Sequence, residues 1–222
     1  MSHREFKDPL YAQFARIGRA LASPQRLELL DLLAQGERSV EALAREASLP
    51  VANASQHLQA LYRAGLVERH RDGQRIIYRL AGQEVFELWR AVRTIGEQRL
   101  AEIDRLVALY LEDPGKLEAL SRQELMERLA SGDVTLLDTR PAEEYRQGHI
   151  PSALSIPVEE LESHLADLPR EREVIAYCRG PYCLFSREAT AILLAHGFRA
   201  RRLEDGFPEW RAVGLPVALG SD

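Results

Sequence analysis

Both cysteines of this 222-residue chain fall in one short stretch, AYCRGPYC, from Ala176 to Cys183. Cys178 ends the apolar run EVIAYC, and Cys183 stands just ahead of a helical pattern, LFSREATAILLAHG. A cysteine at the carboxyl end of a buried strand, followed by a Gly-Pro loop and a helix, meets two features that favour thiolate over thiol. Successive backbone N–H groups of the curled loop form an anion nest, and the helix N-terminus adds its positive end. Pro181 has no N–H, which leaves that cradle one donor short. The arrangement predicts Cys178 as an activated nucleophile. Arg179, Gly180, Pro181 and Tyr182 form its loop, and Cys183 is a second thiol close by.

A second set of side chains suits a different task. In PVANASQHLQALYRAG, Asn53, Ser55, Gln56, His57 and Gln59 form a polar outer face opposite Val51, Ala54, Leu58, Leu61 and Tyr62. Such groups can exchange hydrogen bonds with base edges in a major groove; taken alone, they could equally be a solvated helix face. The following stretch, LVERHRDGQRIIYRL, reads as two strands around Asp72-Gly73, a strong hairpin signal. Arginines 63, 69, 71, 75 and 79 fall within seventeen residues, against Glu68 and Asp72. A basic β-wing beside a polar helix positions a protein on phosphates, with Arg69, Arg71 and Arg75 as the candidate contacts.

The elements that must carry these groups follow from periodicity. Tyr11 to Leu21 has a helical stripe at Phe14, Ile17 and Leu21. Ser23-Pro24 reads as a cap and first turn of a leucine-rich helix that Gly36 closes. SVEALAREA, capped by Ser39, turns Val40, Leu43, Ala44 and Ala47 inward, and with the helix after Pro50 it makes a helix-turn-helix candidate. From Gln83 to Leu111 apolar residues recur at helical spacing, predicting one helix of some 29 residues, about 43 Å long. It reads as a dimer helix and as a rod toward the second half. Asp113-Pro114-Gly115 then breaks the pattern, which sets domains of 1–112 and 113–222. Beyond the break, Ser121 caps RQELMERLASG, and VTLLD, EVIAYC and ARRLEDG read as strands alternating with helices. That is the rhythm of a central, mostly parallel sheet.

The net charge of −5, with 45% hydrophobic and 28% charged residues, is that of a folded globular protein and gives no global sign of nucleic-acid binding. The polar start MSHREFKDPL is unlike a signal peptide, and no run nears the roughly 18 apolar residues of a membrane span. The expectation is a cytoplasmic protein whose two cysteines are reactive rather than a structural disulfide.

The motifs resemble two known families. NASQHLQALYRAGLVERHRDGQRIIYRL is similar to the core of ArsR-type winged helix-turn-helix regulators, a likeness running over about residues 9 to 111. It implies a homodimer that reads an inverted-repeat double-stranded DNA operator, with half-sites about one helical turn apart. Members that sense metals do so through cysteine pairs near the reading head or through His and Asp on the last helix. This chain has no cysteine before Cys178 and no histidine between Gln83 and Leu111, so neither a metal site nor a cofactor is expected. LLDTRPAEEYRQGHIPSALSIP and LEDGFPEW resemble the rhodanese pattern over about Ser121 to Val217, with Ser152 and Asp205 where glycines are usual.

This second resemblance implies that Cys178 takes a sulfane sulfur from a donor such as thiosulfate or a persulfide, becomes a persulfide and passes the sulfur on. Asp138, Arg140, Glu144 and His149 are read as braces of the fold rather than site residues. Phosphate or arsenate chemistry on the same fold needs Cys-x5-Arg, and the sixth residue after Cys178 is Leu184. Because a thiolate attacks a neighbouring sulfur–sulfur bond by exchange, Cys183 could turn a transient persulfide into a lasting polysulfide bridge. The combined expectation is a mainly α winged-helix domain followed by an α/β rhodanese-like domain, acting as a sulfur-responsive repressor. The alternative is a working sulfurtransferase whose DNA-binding half only controls its own expression.

Overall fold

The computed structural model describes residues 3–111 and 118–220. The chain forms two compact units, Met1–Thr94 and Ile95–Asp222. The break expected at Asp113-Pro114-Gly115 lies outside the described residues.

The first unit runs α1 (His3–Leu21), α2 (Pro24–Ala34), β1 (Arg38–Ser39), α3 (Val40–Glu46), α4 (Val51–Arg63), β2 (Val67–Asp72) and β3 (Arg75–Leu80), and it contains most of α5 (Gln83–Arg99). Leu29, Leu30, Leu33, Leu43, Leu58, Leu61 and Tyr78 meet in one core. Each fully buried leucine contributes roughly 1.5–3 kcal/mol, enough to fix three short helices that would not hold alone. The Ser39 hydroxyl accepts from Ala42 N at 3.2 Å and starts α3. Ser23 makes no such cap; its hydroxyl bonds Gln25 instead. The hairpin pairs Asp72 with Arg75 across a two-residue turn, and Gly73 sits at φ +58°, the left-handed geometry that turn requires. Strand order is β1-β3-β2, all antiparallel.

Three expected inward residues face out. Phe14, Val51 and Tyr62 are exposed. Tyr62 lies under the Arg69 guanidinium, 4.5 Å from ring centre to Cζ, and so serves the wing rather than the core.

The expected single helix from Gln83 to Leu111 is two. α5 ends at Arg99, Leu100 adopts an extended φ/ψ of −114°/95°, and α6 covers Ala101–Tyr110. A β-carbon on Gly96 would stand 3.0 Å from Ile103 Cδ1, so the missing side chain lets the two helices pack closely across the break. The break falls where the apolar step lengthens to five residues, Ile95 to Leu100, a small irregularity that helical spacing on both sides conceals.

The second unit continues with β4 (Ala119–Leu120), α7 (Arg122–Ser131), β5 (Val134–Asp138), α8 (Ala142–Gln147), β6 (Leu154–Ser155), α9 (Leu161–His164), β7 (Glu173–Tyr177), α10 (Phe185–Ala195), β8 (Ala200–Leu203) and α11 (Phe207–Ala212). Among the described residues the sheet order is β4-β8-β7-β5-β6, with every pair parallel. β5 and β7 are interior strands and mainly apolar, buried at every residue but Glu173, as strands covered on both faces tend to be. Two apolar clusters form, one around Phe207 and Trp210 and the other around Leu161 and Leu193. Ser152, where glycine is usual, holds φ +66°, a conformation that strains a side chain.

Candidate functional site

Cys178 follows the last residue of β7 and is buried, with 2% of its surface open. In such sheets the carboxyl ends of strands are where functional groups collect. The residue just before it is held at both ends. The Tyr177 hydroxyl donates to Asp138 Oδ2 at 2.6 Å and accepts from Ile150 N at 3.1 Å. The Tyr177 carbonyl accepts from Thr139 Oγ1 at 2.9 Å. Burial and the Asp138 carboxylate keep the phenol well above its ordinary pKa, so it remains a donor. Arg140 completes this brace, bonding Asp138 Oδ2 at 2.6 Å and the Gly148 carbonyl at 2.7 Å, all fully buried. The His149 ring stacks on Tyr145, 3.6 Å between centroids.

The loop after Cys178 is closed by Cys183 N donating to the Gly180 carbonyl at 3.1 Å. Cys178 Sγ lies 3.9 Å from that carbonyl oxygen and 3.3 Å from Ser186 Oγ, in the first turn of α10. Burial pushes the Cys178 thiol up. Hydrogen bonds from the Cys183 thiol, the Ser186 hydroxyl and the backbone amides of Gly180 and Ser186 outweigh it and bring the pKa down to about 7. Cys183 moves the other way: its hydrogen bond to Cys178, its burial and the Cys178 charge hold it well above the ordinary thiol value. The pair therefore divides into a thiolate at Cys178 and a thiol donor at Cys183. Both are free cysteines.

Arg179 does not point its charge at the sulfur. It pairs with Glu144, Nε to Oε1 at 2.9 Å with a second contact from Nη2, and stacks over Phe185. Gly180 has φ +158°, Pro181 is half-buried, and the exposed Tyr182 donates its hydroxyl to Glu97 at 2.5 Å, within the same unit. Gly206 packs against this loop so closely that a β-carbon would stand 2.3 Å from Gly180 N, and Phe207 N donates to the Cys178 carbonyl at 3.0 Å. Ser186 and the Glu144–Arg179 tie were absent from the sequence reading. Ser186 had a faint signal, an oxygen in the first turn after a nucleophile loop. Glu144 is among the braces expected from the sequence, and only its pairing with Arg179, 35 residues away, left no signal.

In the first unit α4 presents Asn53, Gln56 and Gln59 outward, with Ser55 and His57 half-buried at its flanks. Arg69, Arg71 and Arg75 are exposed on the hairpin. The helix and the wing thus belong to one small unit, α4 packing on β2 through Leu61, Leu66 and Val67. Arg79 is engaged by Glu68 at 2.7 Å. Among the described residues no group of three or more His, Cys, Asp or Glu is placed to hold a metal, and no helix is long and apolar enough to cross a membrane.

Comparison with known proteins agrees with both halves. Residues 21–70 match a helix-turn-helix domain family and residues 121–213 the rhodanese-like domain family. The HTH-type transcriptional regulator Rv0324 of Mycobacterium tuberculosis is 46% identical over 97% of this chain and 94% of its own. A sulfurtransferase of Allochromatium vinosum is 35% identical over 44% of this chain and 92% of its own. The homodimeric winged helix-turn-helix DNA-binding domain Mb0332 of Mycobacterium bovis is 47% identical, covering 45% of this chain and 91% of that one, with a TM-score of 0.42. The chain belongs to the family of helix-turn-helix transcriptional regulators that includes Rv0324, with a winged helix-turn-helix in its first half and a rhodanese-like domain in its second.

Proposed function

We propose that this regulator is a repressor that responds to reactive sulfur through Cys178. The observation that carries the reading is the thiol pair: a buried thiolate with a pKa of about 7, bonded to a second thiol held neutral. The Cys178 thiolate attacks the sulfane sulfur of thiosulfate or a persulfide. The Sγ–S bond forms, the donor's sulfur–sulfur bond breaks, and sulfite or a thiolate leaves. The terminal sulfur of the Cys178 persulfide takes a second sulfur from the donor in the same way. Cys183 Sγ then attacks the sulfur bonded to Cys178 Sγ, its proton leaving with the outer sulfur as hydrosulfide, and a trisulfide bridge remains. A direct disulfide needs Cα atoms within about 7 Å, and the extra sulfur relaxes that demand.

Binding of an inverted-repeat operator as a homodimer is supported by the exposed apolar residues Ile95, Leu100, Leu109 and Tyr110, which a second copy would cover. Asn53, Ser55, Gln56, His57 and Gln59 face the bases, and Arg69, Arg71 and Arg75 the phosphates. Sulfur loading releases the operator.

The deciding measurement is a DNA-binding titration of the full chain with and without thiosulfate or a small persulfide. A coupling of about 1–3 kcal/mol changes operator affinity some 5- to 150-fold. Equal affinity in loaded and unloaded protein removes the sensor reading. The sulfurtransferase alternative is favoured by the likeness to the Allochromatium enzyme, and rapid multiple turnover with thiosulfate and an acceptor thiol would establish it.

A further inference from the structure

The first unit carries a cationic cleft that neither base reading nor phosphate positioning by the wing accounts for. Arg16 and Arg19 of α1, Arg26 of α2 and Arg63 of α4 surround a cavity of about 280 Å³ floored by Ala20, Ala60 and Ala64. No carboxylate is in its lining. Two of the guanidiniums are fixed by backbone carbonyls at helix ends. Arg16 donates to the Arg63 carbonyl at 2.9 Å and to Gln13 at 2.8 Å. Arg26 donates to the Arg19 carbonyl at 2.8 Å and to that of Ala20. The Arg19 and Arg63 side chains have no hydrogen-bonding or ionic partner among the described residues.

Four like charges on one small cleft repel one another, and carbonyl dipoles offset only part of that. Planar guanidinium forks, two pinned and two unengaged, match the paired oxygens of a tetrahedral anion. The alanine floor leaves room for it. We propose that this cleft binds a small, multiply charged oxyanion of the sulfate, thiosulfate or phosphate kind.

Two features favour a free anion over an operator phosphate. Arg63 ends α4, ten residues beyond Asn53, so the cleft lies roughly 15 Å along the helix from where base contacts begin, at 1.5 Å per residue. Arg16 is also about 200° round α1 from the exposed Phe14 at about 100° per residue, which leaves the cleft open when that aromatic flank is covered. A bound anion would tie the end of α1, the start of α2 and the end of α4 together.

The test is thermal unfolding and calorimetric titration of the full chain with sulfate, thiosulfate and phosphate, at constant ionic strength made up with chloride. The expected result is a saturable rise in Tm and a measurable Kd, with binding weakened about tenfold or more in Arg19→Gln/Arg63→Gln, since each charged hydrogen bond contributes about 1.5–3 kcal/mol. Both substitutions are at surface positions that bear no core packing. A rise that never saturates and is the same in the variant is general salting-out and overturns the proposal. So does the absence of free-anion binding combined with a loss of operator affinity and a shallower salt dependence in the variant, which would make the cleft a clamp for the DNA backbone.

Discussion

Gly206 and Gly180 are neighbours across the mouth of the second unit, and the space between them has no room for a methyl group: a β-carbon on Gly206 would lie 2.3 Å from Gly180 N and 2.4 Å from the Arg179 carbonyl carbon. The loop that curls round Cys178 is thus shaped from outside as well as by its own sequence. Gly206→Ala must push it away. A displacement near 1 Å at a reacting centre costs on the order of 10²-fold in rate. The expected outcome is a far-UV spectrum like that of the parent and sulfur uptake from thiosulfate down by about that factor. Uptake at the parental rate would show that the loop tolerates the shift.

Cys178 reacts as its thiolate, so its alkylation rate should climb with pH, reach half its plateau near pH 7 and stay flat above. Ser186→Ala removes a donor at 3.3 Å and should move the midpoint upward. The same shift couples to folding. The native thiol titrates below its ordinary value, so its stabilising contribution is full above the unfolded value of about 8.5 and is lost as pH falls through 7. Iodoacetamide kinetics and denaturant melts between pH 5 and 9 check both statements.

Cys178→Ser should take up no sulfur. Cys183→Ser should form a persulfide at Cys178 that decays quickly, whereas the parent should accumulate a peptide spanning 178–183 that is heavier by one sulfur and lighter by two hydrogens. Mass spectrometry after donor treatment reads all three. Uptake that survives in Cys178→Ser and vanishes in Cys183→Ser reverses the assignment of nucleophile and resolving thiol.

On the operator, Arg69→Ala, Arg71→Ala and Arg75→Ala should each weaken binding to every sequence and reduce the salt slope by about 0.9 per lost phosphate contact. Asn53→Ala, Gln56→Ala and His57→Ala should instead relax base preference by about 1–3 kcal/mol per lost pair of bonds. Competition binding at several salt concentrations separates the two classes. If the arginine variants lose sequence preference and the helix variants lose salt dependence, the wing and the helix have exchanged roles.

The parts legible beforehand were those whose physics is local. The strand–Cys–loop–helix order around Cys178 sits in one contiguous stretch, and Asp72-Gly73 announces its turn because only a few residues accept that backbone. The parts that stayed hidden depend on separation or on what a residue lacks. Glu144 reaches Arg179 across 35 residues, and Ser186 looks like any serine beginning a helix until Cys178 Sγ is placed beside it. The break at Leu100 has no proline to mark it, and its one trace in the sequence is the five-residue step from Ile95 to Leu100 between apolar steps of three. Glycine is usual at position 206 in the family that the ending LEDGFPEW resembles, but only the packed loop shows what a side chain there would strike.

The depth of Cys178 bears on how such a protein would behave in a crowded mixture of thiols. With 2% of its surface open, the sulfur would be reached more readily by a slender inorganic donor than by a bulky mixed disulfide. Discrimination then comes from the size of the visitor as much as from its chemistry. Abundant large disulfides would leave the thiol untouched, and under the proposed function the regulator would stay quiet through ordinary thiol traffic.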